Sequence, residues 1–368
     1  MGREHALAAN NATALPADCK HLPACNCTRE SSYPAFHVSS SGFRYIERMK
    51  RSMLFGIVAA ALAAFSWSLS FIVPFVIGKY SLFDFTLVEF IVSGILSVAL
   101  LWRNASAVHQ LTLNDWFTGC ALGLIGYVAY FLAVMAAAVY AGPVIAPAFL
   151  GLVPVVLGVA GNLRERTVPW TSLAWPLGLA ALGLLLVNGS GFLQAGELHS
   201  TSLALGIPLA ILAVTFWTSF GLINQSALAR RPDMNVGVWT ALIMAGAGFS
   251  MLVFFPVGLL FGLFEIPRLG LRWEFAGPLL MWATGLAVFA NFGGAAAWTY
   301  ASQRLPVALA AQMITMEPTA ATILGLIVRR RWPSVAELLG MITLLIGVFI
   351  AIGIFSKSSR GRRAAAVA

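Results

Sequence analysis

Residues 310–328 read AAQMITMEPTAATILGLIV, an apolar run long enough to cross a bilayer with Glu317 near its middle and Pro318 behind it. A spanning helix needs about 20 apolar residues. A charged side chain at its centre costs about 2.5–3.5 kcal/mol on insertion scales. Proline removes a backbone donor and leaves a carbonyl without its helical partner. Both features are tolerated at membrane depth only where the surrounding fold compensates them. The run therefore reads as one helix of a polytopic membrane protein, with its polar face turned to protein or to a wet cavity.

The whole chain supports this reading. Of its 368 residues 59% are hydrophobic and only 10% charged, against about 25% charged in globular proteins, and the mean hydropathy is +0.84. Such a chain cannot coat a water-soluble globule. Its net charge of +9 is no mark of nucleic-acid binding, because the basic residues collect at span ends and in the tails, where membrane topology places them.

Apolar stretches predict ten spans, near 53–78, 82–101, 116–139, 143–161, 170–190, 202–228, 236–262, 276–300, 305–328 and 335–355. Trp102, Trp116, Trp170, Trp239, Trp273 and Trp332 fall at their edges, as indole rings in the headgroup layer do. With both termini cytoplasmic, fourteen basic residues lie inside and six outside (Lys79, Arg268, Arg272, Arg329, Arg330 and Arg331). This bias favours both ends in the cytoplasm, and the Arg329–Arg331 turn runs against it.

Residues 1–48 differ from the rest and are expected to be a polar, disordered tail. Cys19, Cys25 and Cys27 surround His21 there, in a spacing that matches no standard zinc pattern. A thiolate metal site, an unstructured tail and a start of translation at Met49 are the three readings. No metal or cofactor is expected. Residues 357–368 form a basic C-terminal tail.

The chain also repeats itself. An offset of 150 places Gly56 on Gly206, Ala63 on Ala213, Trp67 on Trp217 and Ser68 on Thr218, and an offset of 164 places Pro154 on Pro318, Pro169 on Pro333 and Gly183 on Gly347. The expected organisation is two five-helix units, 49–198 and 199–356. A unit with an odd number of crossings, repeated in one chain, enters the membrane from opposite sides. The copies are then inverted, and the fold class is an all-α polytopic bundle of ten transmembrane helices in two inverted repeats.

The "WS" and "WT" of spans 1 and 6, the prolines of spans 4 and 9, and the blocks "GNLRERTVP" and "EPTAATILGLIVRRRWPSVAELLGMITLLIGV" resemble the drug/metabolite transporter superfamily, in particular its EamA-like ten-helix branch. The resemblance covers residues 53 to about 355. It implies a permease, often an exporter of amino acids or other small metabolites, with a central cavity lined by helices 1, 3, 4 and 6, 8, 9. Two positions depart from it: Arg329 stands opposite Glu165 of the first copy, and Glu89 occupies the second span where many members carry a basic residue.

The residues expected to line a substrate cavity are Trp67, Tyr127, Tyr130, Trp217, Asn291, Trp298 and Glu317, with Pro154 and Pro318 as helix kinks. Trp67 and Trp217 are repeat-matched and mid-span, Tyr127 and Tyr130 follow helical spacing, and Asn291 and Trp298 share a stripe of span 8. Rings and a few polar atoms on such faces suit an organic solute; packing is the plainer reading of the same stripes. Glu317 marks a substrate or proton path, or fixes the kink beside it. Glu89 is expected to reach the interface or pair with a neighbouring helix.

The expected function is a secondary transporter exporting a small organic metabolite, such as an amino acid, with protons as a second partner. A membrane receptor or scaffold and an intramembrane enzyme are the rivals. The five histidines (His5, His21, His37, His109 and His199) lie in tails or loops, and there is no HExxH or GxxxxGK[ST], which leaves metal hydrolysis and ATP-driven pumping without their residues. Arginine outnumbers lysine 19 to 4, a bias that points to a bacterial source and a cell inner membrane.

Overall fold

The computed structural model describes residues 40–137, 140, 149, 151–194, 200–328 and 330–367. The Cys19/Cys25/Cys27 cluster and residues 143–148 of the fourth expected span lie outside these. Contacts divide the chain into two units, Met1–Tyr45 and Ile46–Ala368, and the second carries the fold described below. Its long helices are α1 (Ser40–Ser68), α2 (Leu82–Arg103), α3 (from Leu113 to Ala137), α4 (Val153–Glu165), α5 (Trp170–Gln194), α6 (Ser200–Arg230), α7 (Val236–Leu260), α8 (from Trp273 to Ser302), α9 (from Val307 to Val328) and α10 (Val335–Val367). All of them except α4 contain a segment long and apolar enough to cross a membrane, nine among the described residues. The protein is an all-α, polytopic membrane protein.

Helix ends at a membrane surface leave backbone donors bare, and this sequence closes them with acidic capping boxes. Ser81 with Asp84 starts α2, Thr112 with Asp115 starts α3, and Ser334 with Glu337 starts α10. Each acid also ties its helix to other chain segments. Asp84 accepts the backbone N–H groups of Glu265 and Ile266, just beyond α7. Asp115 meets Arg231, at the end of α6, at 2.6 Å. Glu337 pairs with Arg331 at 2.5 Å, so one cation of the anomalous arginine turn is neutralised where it stands. Glu165, ending α4, accepts the N–H of Val307 at the start of α9.

The closest helix contacts are made by glycines. α2 and α7 cross where a Cβ on Gly94 would stand 3.0 Å from the Cα of Gly248. α5 and α10 cross where a Cβ on Gly340 would stand 2.7 Å from the carbonyl oxygen of Gly183. α4 and α9 meet at Gly161 against Val307 and Ala308. All three pairs are antiparallel. The start of α2 bonds to the segment after α7, while Leu101 near its end packs on Val238 and Ala241 at the start of α7. With few hydrophobic gains available between helices in lipid, small residues that let backbones touch are what hold such pairs.

Further contacts come in matched pairs: α3 packs on α7 and α8 on α2, α6 on α4 and the turn Leu69–Ile72 after α1 on α9. The outer surface is apolar, with Leu62, Ile95, Phe249, Phe289 and Phe349 all exposed, as lipid-facing positions are. Of the expected edge tryptophans, Trp102, Trp170, Trp273 and Trp332 are exposed and Trp116 partly so. Trp239 is not an interfacial anchor. It is 1% exposed and donates its indole N–H to Asn224 at 2.8 Å.

The glycine crossings can be tested directly. Gly248→Leu overpacks the α2–α7 contact and should cost about 1–3 kcal/mol, read as a lower thermal midpoint of the detergent-solubilised protein. Gly178→Leu, where nothing stands within 4 Å of the added Cβ, should leave the midpoint unchanged.

Candidate functional site

The rings of Trp67 (α1), Trp217 (α6), Trp298 (α8), Tyr127 and Tyr130 (α3) meet in one cluster. Trp67 stands edge-on to Trp217, ring centres 5.2 Å apart and planes at 86°, and 5.8 Å from Trp298. Tyr130 lies 4.9 Å from Trp217, and Tyr127 stands 6.5 Å from it. Edge-to-face pairs of this kind are worth about 0.5–1.5 kcal/mol each beyond their buried area. Phe90 of α2 and Phe220 of α6 extend the cluster, each edge-on to Tyr127. Five of the seven expected cavity residues are thus brought together, from four helices.

Glu317 joins them. Its side chain is half-buried, and no donor among the described residues is found bonded to it. The helix carrying it is interrupted: α9 runs as Val307–Ile314 and Met316–Val328, broken at Thr315. Pro318 has no N–H to offer the carbonyl one turn back. Threonines take over locally, with the Thr315 hydroxyl donating to the Gln312 carbonyl at 2.7 Å and Thr319 donating to the Thr315 carbonyl at 3.3 Å. The break is thereby stabilised without Glu317, which leaves that carboxylate for another partner. Pro154 occupies the corresponding place in α4, in the first turn of Val153–Glu165.

Two helices at the cluster are π-helical where they reach it, α3 over Leu124–Ala129 and α8 over Ala287–Gly294. A π-turn widens the helix and shifts backbone hydrogen bonds, and such turns concentrate at functional sites. Tyr127 sits in the first. Gly294 closes the second, and a Cβ there would stand 2.9 Å from the Trp67 indole nitrogen. Asn291, also in the second, turns toward α2 and donates to Ser93 at 2.9 Å; of the expected cavity residues it alone is engaged in a hydrogen bond outside the aromatic cluster.

At the Arg304–Val307 end, α1, α4 and α6 are drawn together with the turn between α8 and α9. Leu305 packs on Gly56 of α1, its carbonyl accepts from Gln225 of α6 at 2.7 Å, and Gly221 of α6 lies against Leu157 of α4. A cavity of about 200 Å³ does exist elsewhere, lined by Thr112, Asp115, Thr118, Arg230, Arg231 and Trp239. It is a cleft at helix termini beside the Asp115–Arg231 ion pair, off the seam between helices. A path across the membrane must follow the seam, so the aromatic cluster is the better candidate site.

Comparison with known proteins agrees with this geometry. The EamA-like transporter family matches residues 54–189 and 204–353. The chain belongs to the EamA-like transporter family. The inner membrane protein YtfF of Escherichia coli (strain K12) is 27% identical over 316 residues, covering 82% of this chain and 95% of YtfF. A protein of known crystal structure shares the fold at a TM-score of 0.59 and 18% identity, covering 82% of this chain and 97% of that one. The protein is thus a membrane transporter of the drug/metabolite type, and its family speaks for transport rather than enzyme catalysis.

For this EamA-like chain, several buried polar groups escaped sequence reasoning or were misplaced by it. Glu89 neither reaches the interface nor pairs with a neighbour: it is 1% exposed and neither carboxylate oxygen has a hydrogen-bond partner. The correction follows from the tight α2–α7 crossing, which turns this face of α2 inward. Gln312 is fully buried with its amide unpartnered, and the Thr218 hydroxyl is unpartnered too, as is the indole N–H of Trp298, a residue the sequence did single out. Each lies on a helix of the seam, and unmatched polar groups there are what a polar solute or water would satisfy.

If the cluster holds the seam together, Trp217→Ala should lower stability by about 3–5 kcal/mol, seen as a depressed thermal midpoint. Trp175→Ala, at a position 72% exposed toward lipid, should stay within about 0.5 kcal/mol of the parent.

Proposed function

We propose that this chain is a secondary transporter that exports a small organic metabolite, such as an amino acid, by alternating access between two inverted five-helix halves, 49–198 and 199–356, with ten crossings in all. The observation that carries the proposal is the antiparallel pairing of helices five apart. α2 with α7, α4 with α9 and α5 with α10 all cross tip to tail, as copies related by an axis in the membrane plane do. The backbone adds support: the two non-glycine residues of left-handed conformation among the described residues, Arg166 and Arg330, are separated by the offset that aligns Pro154 with Pro318.

In this reading the solute binds at the aromatic cluster. Trp67, Trp217, Trp298, Tyr127 and Tyr130 offer ring faces to an apolar body, and Glu317 faces a cationic group or takes a proton. Asn291 lines the same seam once α8 moves. Pro154 and Pro318 are the bends at which α4 and α9 pivot. The contacts of Leu305 with Gly56 and Gln225 support a state closed at that end, and exchange of the two halves' conformations would close the other. By analogy with YtfF the protein resides in the cell inner membrane, with residues 1–48, the basic 357–368 tail and both termini on the cytoplasmic side.

The test is transport itself. Full-length protein in liposomes should take up one or more labelled amino acids or related solutes from a panel when a pH gradient is imposed, above protein-free vesicles. Glu317→Gln should abolish the pH-driven component while leaving the fold intact. Uptake of the same size and pH dependence in that variant would reduce Glu317 to a structural residue, and no uptake of any solute would sink the transporter reading. Labelling of a cysteine placed at Arg330 from the outer face alone would support the orientation.

A further inference from the structure

We propose that Glu89 is a proton-binding site, separate from Glu317, and that its ionisation state sets the packing of the aromatic cluster. Glu89 lies in the middle of α2, 1% exposed, with both carboxylate oxygens unpartnered. Its polar neighbour is the Asn291 amide of α8. That amide donates to Ser93 at 2.9 Å, and the Ser93 hydroxyl donates to the backbone carbonyl of Glu89 at 2.8 Å.

No countercharge is at hand. α7 contributes no titratable residue over Val236–Leu260. On α8, Glu274 is largely exposed and Tyr300 lies under the Arg304 guanidinium. On α2, Asp84 is committed to the backbone N–H groups at both of its oxygens, and Arg103 is exposed at the far end. On α3, Asp115 is held by Arg231, Cys120 lies against Gly246, and the tyrosines stand in the aromatic cluster. An isolated carboxylate in such surroundings is far more costly than the neutral acid. A metal ion fits poorly, since no group of three acidic, histidine or cysteine ligands gathers among the described residues. The ligand that suits the site is a proton.

The connection to the cluster is built into the same helices. Phe90, next to Glu89, packs edge-on against Tyr127 and Phe131 at 6.2 and 5.6 Å. Asn291 sits on the π-helical stretch whose Gly294 abuts Trp67. Loss of the proton creates a buried charge that must gain donors or water, and both routes to them, through α2 or through the π-turn of α8, move rings of the cluster. A role for this step in transport rests on the function proposed above. The proton site itself does not, and its test involves no solute movement.

The experiment uses the full chain in liposomes, followed by infrared spectroscopy and tryptophan emission as the pH is raised. The parent should lose a protonated-carboxyl band and change its tryptophan emission with a common midpoint. Glu89→Gln should lack the emission change and the band change that shares its midpoint, whereas Glu317→Gln should retain both. Asn291→Ala, which removes the neighbouring donor, should move the midpoint up by about one pH unit, the equivalent of about 1.4 kcal/mol; this variant serves equally if Glu89→Gln fails to fold. The proposal is overturned if a carboxyl band change sharing the midpoint of the parent's emission change persists in Glu89→Gln, if the emission change persists there, or if the Asn291→Ala midpoint does not move.

Discussion

Hydrocarbon offers no hydrogen bonds, so every polar group that this chain places in the membrane must find its partner within the protein. That constraint explains most of what is seen. The helix starts are sealed by capping boxes, and the acids that seal them are shared with neighbouring segments, as Asp84 is with Glu265 and Ile266. The break in α9 is sealed by threonines. Against this background the buried groups left unpartnered, Glu89, Gln312, Trp298 and Thr218, stand out, together with the half-buried Glu317. The Asn224 amide nitrogen is a further such group, although its oxygen accepts from Trp239.

The glycine crossings and the aromatic cluster divide the work. Glycines such as Gly94, Gly183, Gly248 and Gly340 let antiparallel helices touch backbone to backbone, which makes rigid pairs. The cluster between the pairs is held by ring contacts at angles from 34° to 87°, which have no fixed partner geometry and can be rearranged at modest cost. The π-turns in α3 and α8 lie just there. Rigid pairs thus surround a seam whose contacts are ring on ring.

Much of the architecture was legible in the chain. Long apolar runs located the spans to within a few residues, as α2 (Leu82–Arg103) and α7 (Val236–Leu260) illustrate, because lipid imposes a length and a composition at once. Repeat-matched Trp67 and Trp217 do meet. The site was less legible. Asn291 shares a helical stripe with Trp298, but the π-turn between them rotates its amide toward α2. Trp239 reads as an edge anchor, yet Asn224 captures its N–H in the interior.

The sequence alone determined that this protein is a helical membrane bundle with internal similarity and a carboxylate at membrane depth, since burial in lipid is written locally, one residue after another. Tertiary structure alone decided which faces of those helices meet, and hence that Glu89 is sealed without a partner while Asp84, one turn and a half earlier, is fully engaged. In a chain that is apolar on nearly every face, hydropathy marks where a helix lies but not how it is rotated; only the backbone contacts of Gly94 with Gly248 and their like supply that.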